Sequence, residues 1–116
     1  MRILVIGADG MLGNAVWSYF ARRENRQVIG SVRSARSAER LDRSLAPLIF
    51  SGDLLAENAL EILVENAQPD VVINCAALTK LVKEGHDPVP TIAANSLMPH
   101  RLYSICHSRG ARVIQV

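Results

Sequence analysis

Three glycines stand at every third position in the segment GADGMLG, residues 7–13, directly after a short apolar run. The run Ile3–Ile6 has the length and the branched side chains of a strand that is buried on both faces. From Met11 onward the apolar residues recur at helical spacing instead. The chain therefore begins with a strand, a glycine-rich turn and a helix, and few folds accommodate that unit.

The alternation of strand and helix continues along the whole chain. Further buried strands are predicted at Val28–Val32, Pro47–Phe50, Val71–Asn74 and Arg112–Val116. Helices are predicted at Met11–Phe20, Leu54–Ala67 and Thr91–Ser108, with a polar loop and weak helix at Ser34–Ser44. This order predicts an α/β fold, a Rossmann-type doubly wound parallel sheet of about five strands with right-handed crossovers. Ligands of such sheets bind at the carboxyl ends of the strands, where the strand order reverses.

The size and charge of the chain limit its organisation and its partners. With 116 residues and 12.7 kDa, residues 1–116 are predicted to form one domain. Aromatic residues make up only 4%, so the predicted core is built from aliphatic side chains. A net charge of +2 is too small to argue for nucleic acid, and no nucleic-acid partner is expected.

Neither the cysteines nor the histidines form a recognisable site. Cys75 and Cys106 are too few and too far apart for a disulfide framework, and neither belongs to a CxxC pair. His86, His100 and His107 have no ligand spacing, so no metal site is expected. No apolar segment has the ~18 residues of a membrane helix, and no signal-peptide pattern is present. A soluble, cytoplasmic protein without a membrane partner is expected.

The spacing of the three glycines matches the demands of a dinucleotide-binding loop. In such a loop the turn is sharp, a diphosphate approaches the backbone, and the helix packs close to the sheet. The free amides of the first helical turn would face the diphosphate at the positive end of the helix dipole. Asp9 is then expected to cap the helix and to point away from the ligand. The alternative is three turn and packing glycines without a ligand. The predicted cofactor-binding residues here are Gly7, Gly10, Met11, Leu12 and Gly13.

The end of the second predicted strand bears on which nicotinamide cofactor would bind. NAD-binding proteins usually carry an acidic residue there for the ribose hydroxyls, but this chain has none. Arg33 stands there instead, with Ser34 and Arg36 close by. An arginine pairs with a 2′-phosphate through two hydrogen bonds, and a serine adds a hydroxyl. Arg33 and Ser34 therefore favour NADP, with NAD as the alternative cofactor. The competing interpretation is a solvated basic loop.

Three motifs together resemble the extended short-chain dehydrogenase/reductase family. They are the GxxGxxG loop, the pair Asp53–Leu54 after the third predicted strand, and the run Asn74–Ala77 after the fourth. The resemblance covers all 116 residues and is closest to sugar-nucleotide reductases of the dTDP-4-dehydrorhamnose reductase type. It implies an oxidoreductase that uses NADPH to reduce a 4-keto nucleotide-deoxysugar in the synthesis of cell-surface polysaccharides.

The resemblance also implies roles for single residues. Asp53 would accept a hydrogen bond from the adenine amino group with Leu54 nearby, and the alternative is that Asp53 caps a helix. The small residues after the fourth strand would leave room for the ribose and nicotinamide, and Thr79 would approach the nicotinamide end. Asn95 would shape the floor of the active site, and its alternative is a solvent-facing helix residue. The further cofactor-binding residues implied are Asn74, Ala76, Ala77, Thr79 and Asn95.

The catalytic elements of that family are not found in these residues. The chemistry needs a Ser or Thr for the substrate carbonyl and a Tyr-x-x-x-Lys pair for the proton. Tyr19 is followed four positions later by Arg23, and Tyr103 by His107, so neither tyrosine starts such a pair. We expect a cofactor-binding part of a longer enzyme, inactive alone and without catalytic residues. The full-length protein is expected to bind a nucleotide-sugar, and an exposed sheet edge is expected to favour a homo-oligomer.

Three other functions stay open on the sequence. A sugar-nucleotide epimerase or dehydratase shares the same N-terminal half but usually retains NAD. A non-catalytic NADP-sensing module would lack the same catalytic residues. An S-adenosylmethionine-binding domain also uses a glycine loop, but normally with an acidic residue at the end of the second strand, which this chain lacks.

Overall fold

Parallel strands form one five-stranded sheet in the computed structural model, which describes residues 1–76 and 86–116. The strands are β1 Arg2–Ile6, β2 Gln27–Val32, β3 Leu48–Phe50, β4 Val71–Asn74 and β5 Arg112–Gln115. The helices are α1 Met11–Ala21, α2 Ala59–Ala67, α3 Pro88–Ile92 and α4 Met98–Ser108. A 3-10 turn lies at Ser37–Arg40 and a π-helical segment at Ala93–Leu97. The predicted α/β doubly wound sheet is confirmed.

Strand β1 lies in the middle of the strand order β3-β2-β1-β4-β5. The chain adds β2 and β3 on one side of β1, and then β4 and β5 on the other side. The order therefore reverses between β1 and β4, and a crevice is expected at the carboxyl ends of these strands. Ile6 pairs with Ser31 of β2 and with Asn74 of β4, so the loops that follow all three strands leave from the same edge.

Alternate residues of β1 point to opposite faces of the sheet, and each face has its own core. Leu4 and Ile6 pack with α2 and α4 on one face. Ile3 and Val5 pack on the other face with α1, where Trp17 is fully buried. Burial on both faces explains why the first strand is a continuous apolar run without polar alternation.

Helix α2 begins at Ala59, whereas the apolar pattern predicted a start at Leu54. Asn58 precedes the helix in the left-handed conformation, with a φ of 61°. Before it, the amides of Ala56 and Ala59 donate to the carbonyls of Asp53 and Ala56 in successive turns. Leu54 still packs against the core and is partly buried, although no helix is present at that point. The predicted first turn of the helix was therefore wrong.

The last helical region begins at Pro88, before its predicted start at Thr91. Asp87 caps it, because its carboxylate accepts a 3.0 Å hydrogen bond from the amide of Val89. The π-helical segment comes just before Pro99, which has no N–H and whose ring would crowd the carbonyl four residues back in a regular helix. The wider turn gives that ring room.

Gly30 lies in β2 where α1 packs on the sheet. A Cβ at this position would lie 2.7 Å from Leu48 Cδ2, 2.9 Å from Ala8 Cβ and 3.0 Å from Trp17 Cδ1. Gly30→Ala is therefore expected to destabilise the protein by about 1–3 kcal/mol, the usual cost of overpacking a core. Urea unfolding followed by the fluorescence of Trp17, the single tryptophan, measures the change.

Ala35→Ser is the matched control, because it also adds one heavy atom but at an exposed position. It is expected to change the free energy of unfolding by less than about 0.5 kcal/mol. Equal unfolding midpoints for Gly30→Ala and this control would contradict the close packing of α1 on β2.

Candidate functional site

The loop between β1 and α1 turns sharply at Gly7, where φ is +78°. Glycine adopts this left-handed conformation without strain. A Cβ on Gly7 would lie 3.0 Å from the amide nitrogen of Ala76, in the loop after β4. The amides of Gly7 and Ala8 both donate to the carbonyl of Ser31 near the end of β2, at 3.1 and 3.0 Å. The loops after β1 and β4 and the end of β2 are therefore held together where the strand order reverses.

Gly13 allows the first turn of α1 to pack on that loop. A Cβ on Gly13 would collide with the carbonyl oxygen of Gly7, and it would lie 2.7 Å from the Gly7 carbonyl carbon. Because these partners are backbone atoms, they cannot move aside without moving the turn or the helix. Contacts within the protein therefore explain why residues Gly7 and Gly13 have to be glycines.

Gly10 is different, because packing within the described residues does not require a glycine there. Apart from its chain neighbours, a Cβ on Gly10 would have a single neighbour within 4 Å among residues 1–76 and 86–116, the Gly7 carbonyl oxygen at 3.4 Å. Gly10 is exposed and is the N-cap residue of α1. The missing side chain therefore leaves space directly in front of the helix.

In the part of the chain that the structure describes, the amino end of α1 has no side-chain cap, since its N-cap residue is Gly10. The expectation that Asp9 caps this helix is wrong, because the cap position falls one residue later, on a glycine that has no side chain to offer. The first turn contains no acidic residue, and its Met11 and Leu12 are 92% and 48% exposed. Uncapped amides at the positive end of a helix dipole, with space in front of them, fit the diphosphate of a dinucleotide.

Arg33 directly follows the last residue of β2, and its side chain is exposed. Its carbonyl accepts a 3.0 Å hydrogen bond from the amide of Gly52, which fixes the backbone at this point. Its guanidinium forms no ion pair or hydrogen bond with the described residues. The Ser34 hydroxyl, by contrast, lies 3.2 Å from the Ser37 hydroxyl and accepts a 3.3 Å hydrogen bond from the Ser37 amide. Arg33 can thus meet a ligand, whereas Ser34 holds the turn that follows.

Asp53 follows β3 at the same edge of the sheet and is exposed. Its Oδ1 accepts a 2.9 Å hydrogen bond from the amide of Leu55 and closes a local turn. The alternative in which Asp53 caps the next helix is wrong, because the N-cap of α2 is Asn58. The second carboxylate oxygen is bound by no residue in the described part of the chain. The contact of Asp53 and Leu54 with adenine stays a prediction.

Asn74, the last residue of β4, is fully buried and hydrogen-bonded. Its Nδ2 donates to Gln115 Oε1 at 2.8 Å and lies 3.7 Å from the sulfur of Met98. Its Oδ1 accepts a 3.1 Å hydrogen bond from the amide of Ala76. The side chain therefore ties β4 to β5 and fixes the backbone that lies against Gly7. The sequence did not single out Gln115, because its importance comes from the register that places it opposite Asn74.

Cys75 is half-buried beside the glycine loop, and its amide donates a 3.0 Å hydrogen bond to the carbonyl of Ile6. Burial raises the pKa of the Cys75 thiol above its usual value, so the thiol stays protonated at neutral pH. Both Cys75 and Cys106 are free thiols. The chemistry of this edge therefore does not draw on a reactive cysteine.

The remaining predicted site residues lie in the last helical region or outside the described residues. Asn95 lies in the π-helical segment, where it is exposed. Ala77 and Thr79 lie outside residues 1–76 and 86–116. Within those ranges, no group of three or more His, Cys, Asp or Glu side chains could hold a metal ion. The helices of the same ranges are all too short or too polar to cross a membrane.

Sequence comparison gives one family match and several relatives. The sequence model described as "NAD dependent epimerase/dehydratase family" matches residues 3–116. A dTDP-4-dehydrorhamnose reductase of Streptomyces griseus is 31% identical over 115 residues, which are 99% of this chain and 32% of that protein. Methionine adenosyltransferase 2 subunit beta of Danio rerio is 30% identical over 110 residues, which are 94% of this chain and 30% of that protein. The chain spans about a third of the length of these curated relatives.

Solved structures share the fold of this chain. The UDP-glucose 4-epimerase of Thermus thermophilus, in complex with NAD, is 25% identical with a TM-score of 0.76, and the match covers 96% of this chain and 35% of that one. A dTDP-4-dehydrorhamnose reductase of Clostridium acetobutylicum is 26% identical with a TM-score of 0.72, and the match covers 99% of this chain and 35% of that one.

Asn74→Ala is expected to lower the free energy of unfolding by about 1–3 kcal/mol, because it removes the hydrogen bonds of a fully buried side chain and leaves the part-buried amide of Ala76 without its partner. Asn66→Ala is the control, since Asn66 is exposed on α2 and its loss should cost less than about 0.5 kcal/mol. Urea titration of both variants measures the difference. A cost for Asn74→Ala no larger than that of the control would contradict the role given to this side chain.

Proposed function

The chain belongs to the NAD dependent epimerase/dehydratase family, and on that premise we propose that it is the NADP(H)-binding part of a sugar-nucleotide reductase. The family resemblance predicted from the three sequence motifs is confirmed, and the relatives include both reductases and epimerases. The observation that carries the proposal is the space in front of α1 at Gly10. Of Gly7, Gly10 and Gly13, Gly10 is the one whose position the described protein atoms do not require.

The proposed site follows the carboxyl edge of the sheet. The amides of the first turn of α1 would bind the diphosphate, and the carboxylate of Asp53 would bind the adenine amino group. When bound, NADPH supplies a hydride, which in the parent enzyme would reduce the 4-keto carbon of a nucleotide-linked deoxysugar. These 116 residues contain no Tyr-x-x-x-Lys pair, so we assign them cofactor binding and no catalytic step.

The preference for NADP over NAD is proposed from the end of β2. Arg33 is exposed there. Its carbonyl accepts a hydrogen bond from the amide of Gly52, the residue before Asp53, so the chain segments after β2 and β3 lie side by side. A guanidinium without a partner among residues 1–76 and 86–116 is suited to a 2′-phosphate, whereas it offers no acceptor for the ribose hydroxyls of NAD.

The same proposal covers the substrate, the biosynthetic role and the cellular location of the full-length protein. A nucleotide-sugar substrate for the full-length protein, a role in polysaccharide synthesis and a cytoplasmic location are proposed from the reductase relatives. Self-association is proposed from the sheet edge formed by β5, where Ile114 in the strand and Val116 just after it are 51% and 60% exposed.

Two alternatives each have one observation in their favour. An epimerase part that retains NAD is favoured by the 25% identical structure from Thermus thermophilus, which was solved with NAD. A non-catalytic subunit is favoured by the relative from Danio rerio, which is named as a subunit of a methionine adenosyltransferase. Nucleotide released by denaturing the freshly purified protein separates the first alternative from our proposal, because retained NAD would support the epimerase.

Gly10→Ala tests the diphosphate site. Its Cβ would occupy the space in front of the helix, so the Kd for NADPH is expected to rise at least about tenfold, which corresponds to about 1.4 kcal/mol. The loss of a glycine cap should cost the fold less than about 1 kcal/mol. Titration of the wild-type chain and the variant with NADPH, followed by cofactor fluorescence, measures both affinities.

Ala15→Ser, at an exposed position on the same helix, is the control for Gly10→Ala and should bind NADPH within about twofold of wild type. A wild-type chain that folds but binds neither NADPH nor NADH would refute the proposed function. A Gly10→Ala variant with wild-type NADPH affinity would show that the space at Gly10 is not the basis of cofactor binding.

Arg33→Ala tests the choice of cofactor. Loss of a charged hydrogen-bonding partner should weaken NADPH binding by about 10- to 100-fold, and NADH binding should stay within about twofold of wild type. Arg112→Ala makes the same charge change at the first residue of β5, at the opposite end of the strands, and serves as the control. Equal losses for both cofactors would contradict the NADP preference.

A further inference from the structure

Ser31 and Ser51 form a hydroxyl pair at the carboxyl edge of the sheet. The Ser31 hydroxyl donates to the Ser51 hydroxyl at 2.9 Å, and the Ser51 hydroxyl donates to the Val32 carbonyl at 3.2 Å. Ser31 is 1% exposed, and it is one of two buried polar residues in the described part of the chain. A buried hydroxyl in a run of apolar strand residues has to be satisfied, and Ser51 supplies its partner.

Ser31 also holds the glycine loop through its backbone. Its carbonyl accepts hydrogen bonds from the amides of Gly7 at 3.1 Å and Ala8 at 3.0 Å. Ser31 thus binds the glycine loop through its carbonyl and the segment after β3 through its hydroxyl. In the described residues, these contacts link the start of the glycine loop to Ser51 through a single residue of β2.

Ser51 is the first residue beyond β3, which ends at Phe50. Its amide donates to the Val32 carbonyl at 2.9 Å, and the chain then turns at Gly52, whose φ is +62°, before it reaches Asp53. The hydroxyl pair therefore adds side-chain contacts at the point where the strand pairing ends. The direction of Asp53 depends on how firmly this point is held.

We infer that Ser31 and Ser51 are a positioning pair that fixes the segment carrying Asp53 relative to the glycine loop. The inference rests on the proposed function, because it assigns the two segments to the adenine and diphosphate ends of one dinucleotide. A ligand that spans both segments binds more tightly when their spacing is already fixed, because no free energy is then spent on ordering the two segments during binding. A ligand that touches only one segment gains nothing from a fixed spacing.

Because the Ser31 hydroxyl donates to the Ser51 hydroxyl, removing one of the two hydroxyls has a different effect from removing the other. In Ser51→Ala the buried Ser31 hydroxyl loses its acceptor, whereas in Ser31→Ala the Ser51 hydroxyl keeps its hydrogen bond to the Val32 carbonyl. Ser51→Ala is therefore expected to have the larger effect. Ser51→Thr keeps the hydroxyl and should restore the pair.

The test compares two ligands on the 116-residue chain by calorimetry. On the proposed function, NADPH would span both segments, and adenosine 2′-monophosphate would reach only the adenine end, at Arg33 and Asp53. Ser51→Ala should raise the Kd for NADPH about 3- to 10-fold, as expected for one lost hydrogen bond, and leave that for adenosine 2′-monophosphate within about twofold. Ser51→Thr should bind NADPH within about twofold of wild type. Ser104→Ala removes a comparable exposed hydroxyl from α4 and should change neither affinity.

Two results would overturn the inference. The first is an NADPH affinity in Ser51→Ala equal to that of wild type. The second is an equal loss of affinity for NADPH and adenosine 2′-monophosphate, which would indicate local damage to the adenine end alone. If Ser51→Ala does not fold, Ser31→Ala decides, with an expected NADPH loss of about two- to threefold and no loss for adenosine 2′-monophosphate. A wild-type chain that binds neither NADPH nor NADH refutes the proposed function instead, so the two failures are distinguishable.

Discussion

The contact of α1 with the loop before it is the constraint on which the site depends. Gly13 packs on the carbonyl of Gly7 so closely that no side chain fits between them, and Gly7 in turn lies against the amide of Ala76. The start of the helix, the turn and the residues directly after β4 are thus held by contacts between backbone atoms, which cannot rotate aside as a side chain can. The amino end of α1 follows directly on this turn, and within the described residues its N-cap residue, Gly10, supplies no side-chain cap.

Much of this arrangement follows from local sequence pattern. A buried central strand is continuously apolar, and a helix repeats its apolar residues at 3.6 positions, so the elements and their order could be predicted. The start of α2 could not, because Leu54 packs against the core from a turn, so an apolar residue at this position does not by itself indicate a helix. The cap of α1 was also mispredicted, since the one-residue difference between Asp9 and Gly10 is decided by the geometry of the turn at Gly7.

The polar contacts that shape the site depend on register, and the sequence pattern carries little information on register. Asn74 meets Gln115 only because β4 and β5 are aligned at those positions. Ser31 meets Ser51 because β2 and β3 pair with Val32 opposite Phe50. The serines stand outside any motif, so a search for motifs passes over them. The residues that bind a ligand are thus easier to predict than the residues that hold them in place.

On the proposed function, affinity and selectivity are separated along the edge of the sheet. The amides of α1 would bind any diphosphate, because a backbone dipole does not distinguish one nucleotide from another. Selection would therefore depend on the ends of β2 and β3, where Arg33 and Asp53 stand on segments joined by the Gly52 amide and the Ser51 hydroxyl. On this proposal, a family can keep its glycine loop and change cofactor by substitutions at these two strand ends.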